Sequence, residues 1–155
     1  MARKIEALLA EYGESHQNKT NKAVHWVCVP VIVWTVMAGL YAIPQPGLMA
    51  DIAWLNWLTL VLAASLIYYV FLSPTLALGV GVYAAISYWL ILMVEGAGLV
   101  VWQVALVLLV LAWAGQFWGH KIEGKKPSFL KDIQFLMIGP AWLLSFIYKR
   151  VGIPV

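Results

Sequence analysis

An all-α membrane protein is the fold class this sequence predicts, and three observations predict it. Of 155 residues, 63% are hydrophobic and only 11% charged, with a mean hydropathy of +0.85; soluble domains run near half apolar and a quarter charged. The apolar residues come in long runs, of the length that crosses the hydrocarbon core of a bilayer. The basic residues gather at the ends of those runs, so the net charge of +3 is the charge of span ends and not of a nucleic-acid surface. The expectation is one membrane-embedded helical domain over 1–155. It has four transmembrane helices, an N-terminal amphipathic helix, and a short C-terminal apolar helix that is either a fifth span or a re-entrant segment.

Residues 2–15 place Ile5, Leu8, Leu9 and Tyr12 on one helical face, with Lys4, Glu6, Glu11 and Glu14 elsewhere. This segment is too polar to span and is expected as a helix lying at the interface. Arg3 and Lys4 lead into those acids and not into an apolar run, so no cleavable signal peptide is expected. Residues 16–21 are turn-like, with Thr20 or Asn21 as N-cap of the first span. Span one covers roughly 23–43 and stops at Pro44-Gln45-Pro46-Gly47. Span two covers roughly 52–72 and stops at Ser73-Pro74, span three roughly 75–94, and span four roughly 98–118. The short connections make spans two to four sequential antiparallel neighbours. Ala77, Gly81 and Ala85 form a stripe of small residues that would let a neighbouring helix approach closely. The last run, roughly 133–148, is short and holds Pro140.

Lys and Arg set the orientation. Arg3, Lys4, Lys19 and Lys22 precede span one, and Lys121, Lys125, Lys126 and Lys131 come after span four; the connections 44–51 and 95–97 hold none. Positive charge stays inside, so the N-terminus and the 119–132 segment are expected in the cytoplasm, of a bacterial inner membrane or an endoplasmic reticulum. Trp54, Trp57, Trp89 and Trp102 then fall near the far interface, and Trp26, Tyr68, Tyr69 and Trp118 near the cytoplasmic one, as an aromatic belt should. Lys149 and Arg150 would lie outside if the last run crossed, which favours a non-crossing segment.

That topology brings the chemistry together. His16, His25 and His120 are the three histidines of the chain, and all lie at span edges on the predicted cytoplasmic face. Asn21 and His25 share a helix face, as do Gln116, His120 and Glu123. The expected site is therefore a metal held by His16, His25, His120 and Glu123, with Asn21 and Gln116 orienting the rings. Nitrogen and oxygen ligands suit Fe(II) or Zn(II). The lone Cys28 excludes an internal disulfide and an iron–sulfur cluster. No nucleotide or flavin motif is present in the sequence. Lys121 and Lys125 stand near enough in sequence to attract an anionic headgroup.

The run from Tyr12 through His16, Asn21 and His25 to Pro30, and the run Gln116-Phe-Trp-Gly119-His120-Lys-Ile-Glu123-Gly-Lys-Lys-Pro127, carry a resemblance. Together they resemble a family of small multi-span membrane proteins whose yeast member is a 2-hydroxy fatty acid dioxygenase. The resemblance covers nearly the whole chain. It implies an Fe(II)-dependent enzyme of fatty-acid α-oxidation, using O2, with His16, His25 and His120 as the essential histidines; Glu123 as a ligand comes from helix spacing alone. A 2-hydroxy fatty acid would chelate the metal through its hydroxyl and carboxylate while its tail lies among the apolar spans. Two alternatives stand beside this reading: a zinc-dependent lipid hydrolase with Glu123 as base, and a non-catalytic membrane scaffold or lipid-binding subunit with merely interfacial histidines. Membrane lipid is an expected partner in all three, and homo-oligomerisation is compatible with each.

Overall fold

The computed structural model of the chain describes residues 4–52, 54–125 and 134–155. Arg3, Lys126, Pro127 and Lys131, which carry part of the charge and motif expectations, lie outside the described residues. Every regular element among those described is a helix: α1 Lys4–Glu14, α2 Lys19–Ala42, a single turn α3 Gly47–Ala50, α4 Trp57–Leu72, α5 Pro74–Gly96, α6 Val101–Glu123 and α7 Gln134–Val151.

Three of these, α2, α5 and α6, are long and apolar enough to cross a membrane. The run expected as span two is shorter: its 16-residue helix begins at Trp57, and the single turn of α3 stands ahead of it. Local chemistry fixes the ends. Asn56 caps α4, accepting from the Thr59 amide, while the Thr59 hydroxyl accepts from the Asn56 amide in a capping box. Ser73 caps α5 with Pro74 in its first turn, where the missing N–H costs nothing. Gly124, at φ 74°, ends α6 in the left-handed conformation that a glycine adopts without strain. The N-cap of α2 is Asn18, whose side chain accepts from the amides of Thr20 and Asn21, and not the expected Thr20 or Asn21. A cap must sit just before the first helical residue, and Lys19 already is one.

Packing departs from simple sequential order. α4 and α5 pair as expected, but α6 makes its most extensive contact with α2 and only a slight one with α5. The reason is on α6 itself. A Cβ on Gly115 would lie 2.7 Å from Cys28 Sγ, and one on Gly119 2.5 Å from Asn21 Oδ1, so α2 fits against the two bare positions. Of the expected stripe on α5, Ala77 is buried and Gly81 lies against Leu66 of α4, but Ala85 is exposed.

The α1 helix does more than rest on a surface. Its face with Ile5 and Tyr12 is buried against α7: Tyr12 joins Ile138, Trp142 and Leu143 of α7 and Val29 of α2, and Ile5 packs with Ala141 and Tyr69. Both ends of α7 are tied to one corner of the bundle, the α4–α5 junction at Ser73. The Tyr69 hydroxyl donates to the Met137 carbonyl near the start of α7. Near its end, the Tyr148 hydroxyl donates to Thr75 O (2.7 Å), and the Thr75 hydroxyl donates to Pro154 O (2.7 Å).

Candidate metal centre

His16 lies in the turn between α1 and α2, His25 one and a half turns into α2, and His120 in the last turn of α6. The α2–α6 pairing and the docking of α1 bring all three together. They are 1%, 2% and 4% exposed, respectively. Ring centroids are 4.2 Å apart for His16 and His25, 5.1 Å for His16 and His120, and 5.0 Å for His25 and His120. One ring nitrogen from each lies within 4.8 Å of the others, and this trio forms a candidate ion-holding group among the described residues.

The hydrogen bonds decide which nitrogens are available. His16 Nδ1 is 2.6 Å from the Tyr12 carbonyl and His25 Nδ1 is 2.9 Å from the Asn21 carbonyl. A carbonyl oxygen can only accept, so both Nδ1 atoms carry the proton and both Nε2 atoms present a lone pair. Those two Nε2 atoms face each other at 2.8 Å. Two lone pairs at that distance repel unless a cation lies with them. Burial pulls the His16 imidazole down to about 4, so at neutral pH a proton is not that cation. The third ring adds to the case: His120 Nδ1 is buried with no hydrogen-bond partner. A buried polar atom without a partner calls for an explanation, and a divalent cation accounts for all three nitrogens at once. The donor set, three neutral imidazoles with no thiolate, fits Fe(II) or Zn(II).

Glu123, expected as a ligand from helix spacing, meets N–H donors in this structure. Its carboxylate accepts from the backbone amides of Gln17 (2.9 Å) and Asn18 (2.8 Å) and from Asn21 Nδ2 (3.1 Å). It is a clamp that ties the end of α6 to the start of α2, where a negative charge complements the helix dipole, and so fixes the His16 turn. Oε2 accepts two of these bonds and Oε1 one, which leaves Oε1 the less engaged oxygen. The contact to His25 Nδ1 comes from the main-chain carbonyl of Asn21 and not from its side chain, whose amide bridges the Ser15 carbonyl and Glu123. Gln116 is buried one turn before His120. Lys125 does not reach towards the histidines: its ammonium donates to the Glu14 carbonyl at the end of α1 (2.7 Å). Lys121 is exposed on α6.

Two residues that sequence reasoning passed over wall the site. Tyr12 stacks on His16 at 4.3 Å with planes 8° apart, and Trp142 of α7 lies 5.1 Å from the same ring. Tyr12 carried a signal, since it stands four residues before His16 at the end of the α1 apolar face. Trp142 carried none, because only tertiary packing brings α7 to the site.

A family described as 2-hydroxy-palmitic acid dioxygenase Mpo1-like matches residues 2–151. No curated protein and no solved structure matches the chain.

Proposed function

Since the chain belongs to the 2-hydroxy-palmitic acid dioxygenase Mpo1-like family, we propose that it is an Fe(II)-dependent dioxygenase that shortens 2-hydroxy fatty acids by one carbon. The observation that carries the metal half of this reading is the pair of facing Nε2 lone pairs on His16 and His25, with the orphaned His120 Nδ1 beside them. The family description supports the substrate half.

The reaction balances without a further reductant: a 2-hydroxy acid and O2 give the acid one carbon shorter, carbon dioxide and water. The C1–C2 bond breaks, the former alcohol carbon becomes a carboxyl carbon, and O2 takes up the four electrons released. Bound Fe(II) would supply O2 activation and a chelation point for the substrate's hydroxyl and carboxylate. The protein's share is preparation. The Tyr12 and Asn21 carbonyls hold two rings in the tautomer that leaves Nε2 unprotonated. Glu123 pins the turn that carries His16. The faces of Tyr12 and Trp142 keep water from the back of that ring. Lys121 is our candidate for drawing the substrate carboxylate to this face.

A four-span arrangement, α2, α4, α5 and α6, with the N-terminus and the histidines on the cytoplasmic side, is part of the same proposal. The tethering of both ends of α7 to one corner supports a last helix that does not cross. A zinc hydrolase with Glu123 as base draws no support from this geometry, because that carboxylate is occupied by three donors.

The deciding experiment loads purified protein anaerobically with Fe(II), adds 2-hydroxypalmitate and then O2, and tracks the one-carbon-shorter acid by mass spectrometry. Product that requires both iron and O2 is expected. Absence of product from folded, iron-loaded protein would remove this reaction.

A further inference from the structure

Between α2, α4, α5 and α7 lie two apolar clefts, of about 150 Å³ and about 110 Å³, each partly open beside exposed side chains, Trp26 and Ile147 in the first and Val36 and Val61 in the second. They meet at a waist: Val33, Val80, Tyr83 and Pro140 line both. On α2 the first is lined from Trp26 and Val29 onwards, and Val29 lies one turn from His25 on the same helix face. The second continues along that helix to Leu40, beside Leu58 at the start of α4. From Val29 to Leu40 the path is about 16 Å at the rise of an α-helix.

Two features of the sequence keep this space open. Pro30 and Pro140 stand in its walls, and each removes a main-chain hydrogen bond and loosens its helix locally. The tyrosines that line it do not offer their hydroxyls to the interior. Tyr83 O–H donates to the Pro30 carbonyl at 2.5 Å, and Tyr69 O–H to the Met137 carbonyl. The walls are therefore almost wholly apolar. An apolar cavity of about 150 Å³ stays dry and takes a six-carbon ring, so the two in series have room for roughly ten methylenes.

We propose that this paired cavity is the acyl-tail channel of the substrate, and that Val33 and Val80 at its waist set the length of tail accepted. The inference rests on the proposed reaction for the identity of the headgroup. The channel fits one occupant: an unbranched hydrocarbon chain whose polar end stays at the histidines. A larger groove of about 540 Å³ between α2, α5 and α6 fits less well. It too touches Pro30, but it leads away from the histidines: the α6 residues that line it are Val104 and Leu108, at least twelve residues from His120.

The test compares full-length protein variants loaded with Fe(II), using 2-hydroxyoctanoate and 2-hydroxypalmitate. Val80→Phe is expected to lower kcat/KM for the long acid roughly tenfold or more relative to the short one, with bound iron unchanged. Val33→Ala, which cannot overfill the fold, is expected to move the preference towards longer tails. Leu108→Phe in the outer groove should leave the ratio alone. Equal effects on both acids in Val80→Phe and Val33→Ala, or a chain-length shift in Leu108→Phe, would overturn the channel. Binding of palmitate in competition with octanoate needs no chemistry and is measured in parallel. If wild type turned over neither acid, the reaction would fall; loss of palmitate binding in Val80→Phe would still uphold the channel, and unchanged binding would remove it.

Discussion

The three histidines differ in how they are held, and the difference predicts what each substitution does. His16 and His25 each spend Nδ1 on a main-chain carbonyl, which leaves Nε2 as the only ligand atom. Replacing either, or His120, with Ala should abolish stoichiometric metal and lower turnover by two orders of magnitude or more; metal analysis beside product formation checks both. Glu123 should behave otherwise. As a clamp on the Gln17 and Asn18 amides it acts on the site through the His16 turn, so Glu123→Gln should keep bound iron while weakening its affinity roughly 10- to 100-fold, the usual range for groups that support a ligand. Metal loss as complete as in His120→Ala would instead make Glu123 a ligand. The His16 ring also gives the metal-free protein a pH dependence. Its imidazole stays neutral in the fold down to about 4, whereas the unfolded chain takes up a proton near 6.5. The unfolded state therefore binds more protons in this window, and stability falls as pH drops from about 6.5 towards 4. Thermal unfolding of metal-free protein across that range should show the slope, and His16→Gln should reduce it, the other buried histidines supplying the remainder.

At the scale of elements, the site depends on how closely α2 and α6 approach. His25 and His120 belong to these two helices, and Gly115 and Gly119 allow the contact between them. Neither position offers room for a methyl group: the obstructing atoms are Cys28 Sγ at 2.7 Å and Asn21 Oδ1 at 2.5 Å. Gly119→Ala should cost about 1–3 kcal/mol of stability, as overpacking does. It should also loosen the metal, because Asn21 is hydrogen-bonded to Glu123 and positions His25. Thermal unfolding with and without iron separates the two effects; an unchanged metal affinity would show that the helices can part without disturbing the rings. The α1 helix has a related function. Its buried face on α7 holds Tyr12 where the carbonyl meets His16, so the amphipathic pattern of 2–15 serves the site as well as the surface.

For the whole molecule, the path of the last helix becomes a labelling experiment. With Met137 and Tyr148 both tied to the α4–α5 corner, the C-terminus should lie on the same side of the membrane as the His16 turn. In a Cys28→Ser background, Lys19→Cys and Gly152→Cys should react with an impermeant thiol reagent from the same side in sealed vesicles. Reaction from opposite sides would mean that α7 crosses. Whichever way it runs, α7 contributes Trp142 to the wall of the metal centre and Pro140 to the lining of the apolar clefts.

By itself the sequence determined the helical class, the approximate bounds of its long apolar runs, the amphipathic α1 and the identity of the three histidines as a shared set. These are properties of composition, of a 3.6-residue period and of charge placed at span ends, all of which are local. Helix spacing put Glu123 on the face of His120 but could not tell which atoms that carboxylate would meet. The orphaned amides at the start of α2 come to it only when α2 lies against α6, and a helix start draws an anion strongly. In the same way the sequence pointed to the small-residue stripe on α5 and passed over Gly115 and Gly119, which have the same spacing. Which small residues take the closest approach is settled by the complementary surface across from them. The Nδ1–carbonyl bonds that leave two lone pairs face to face, the docking of Trp142 on His16, and the waist shared by two cavities all join residues distant in the chain. Only the tertiary structure decided these, because each is an energy of juxtaposition between groups that have no local reason to meet.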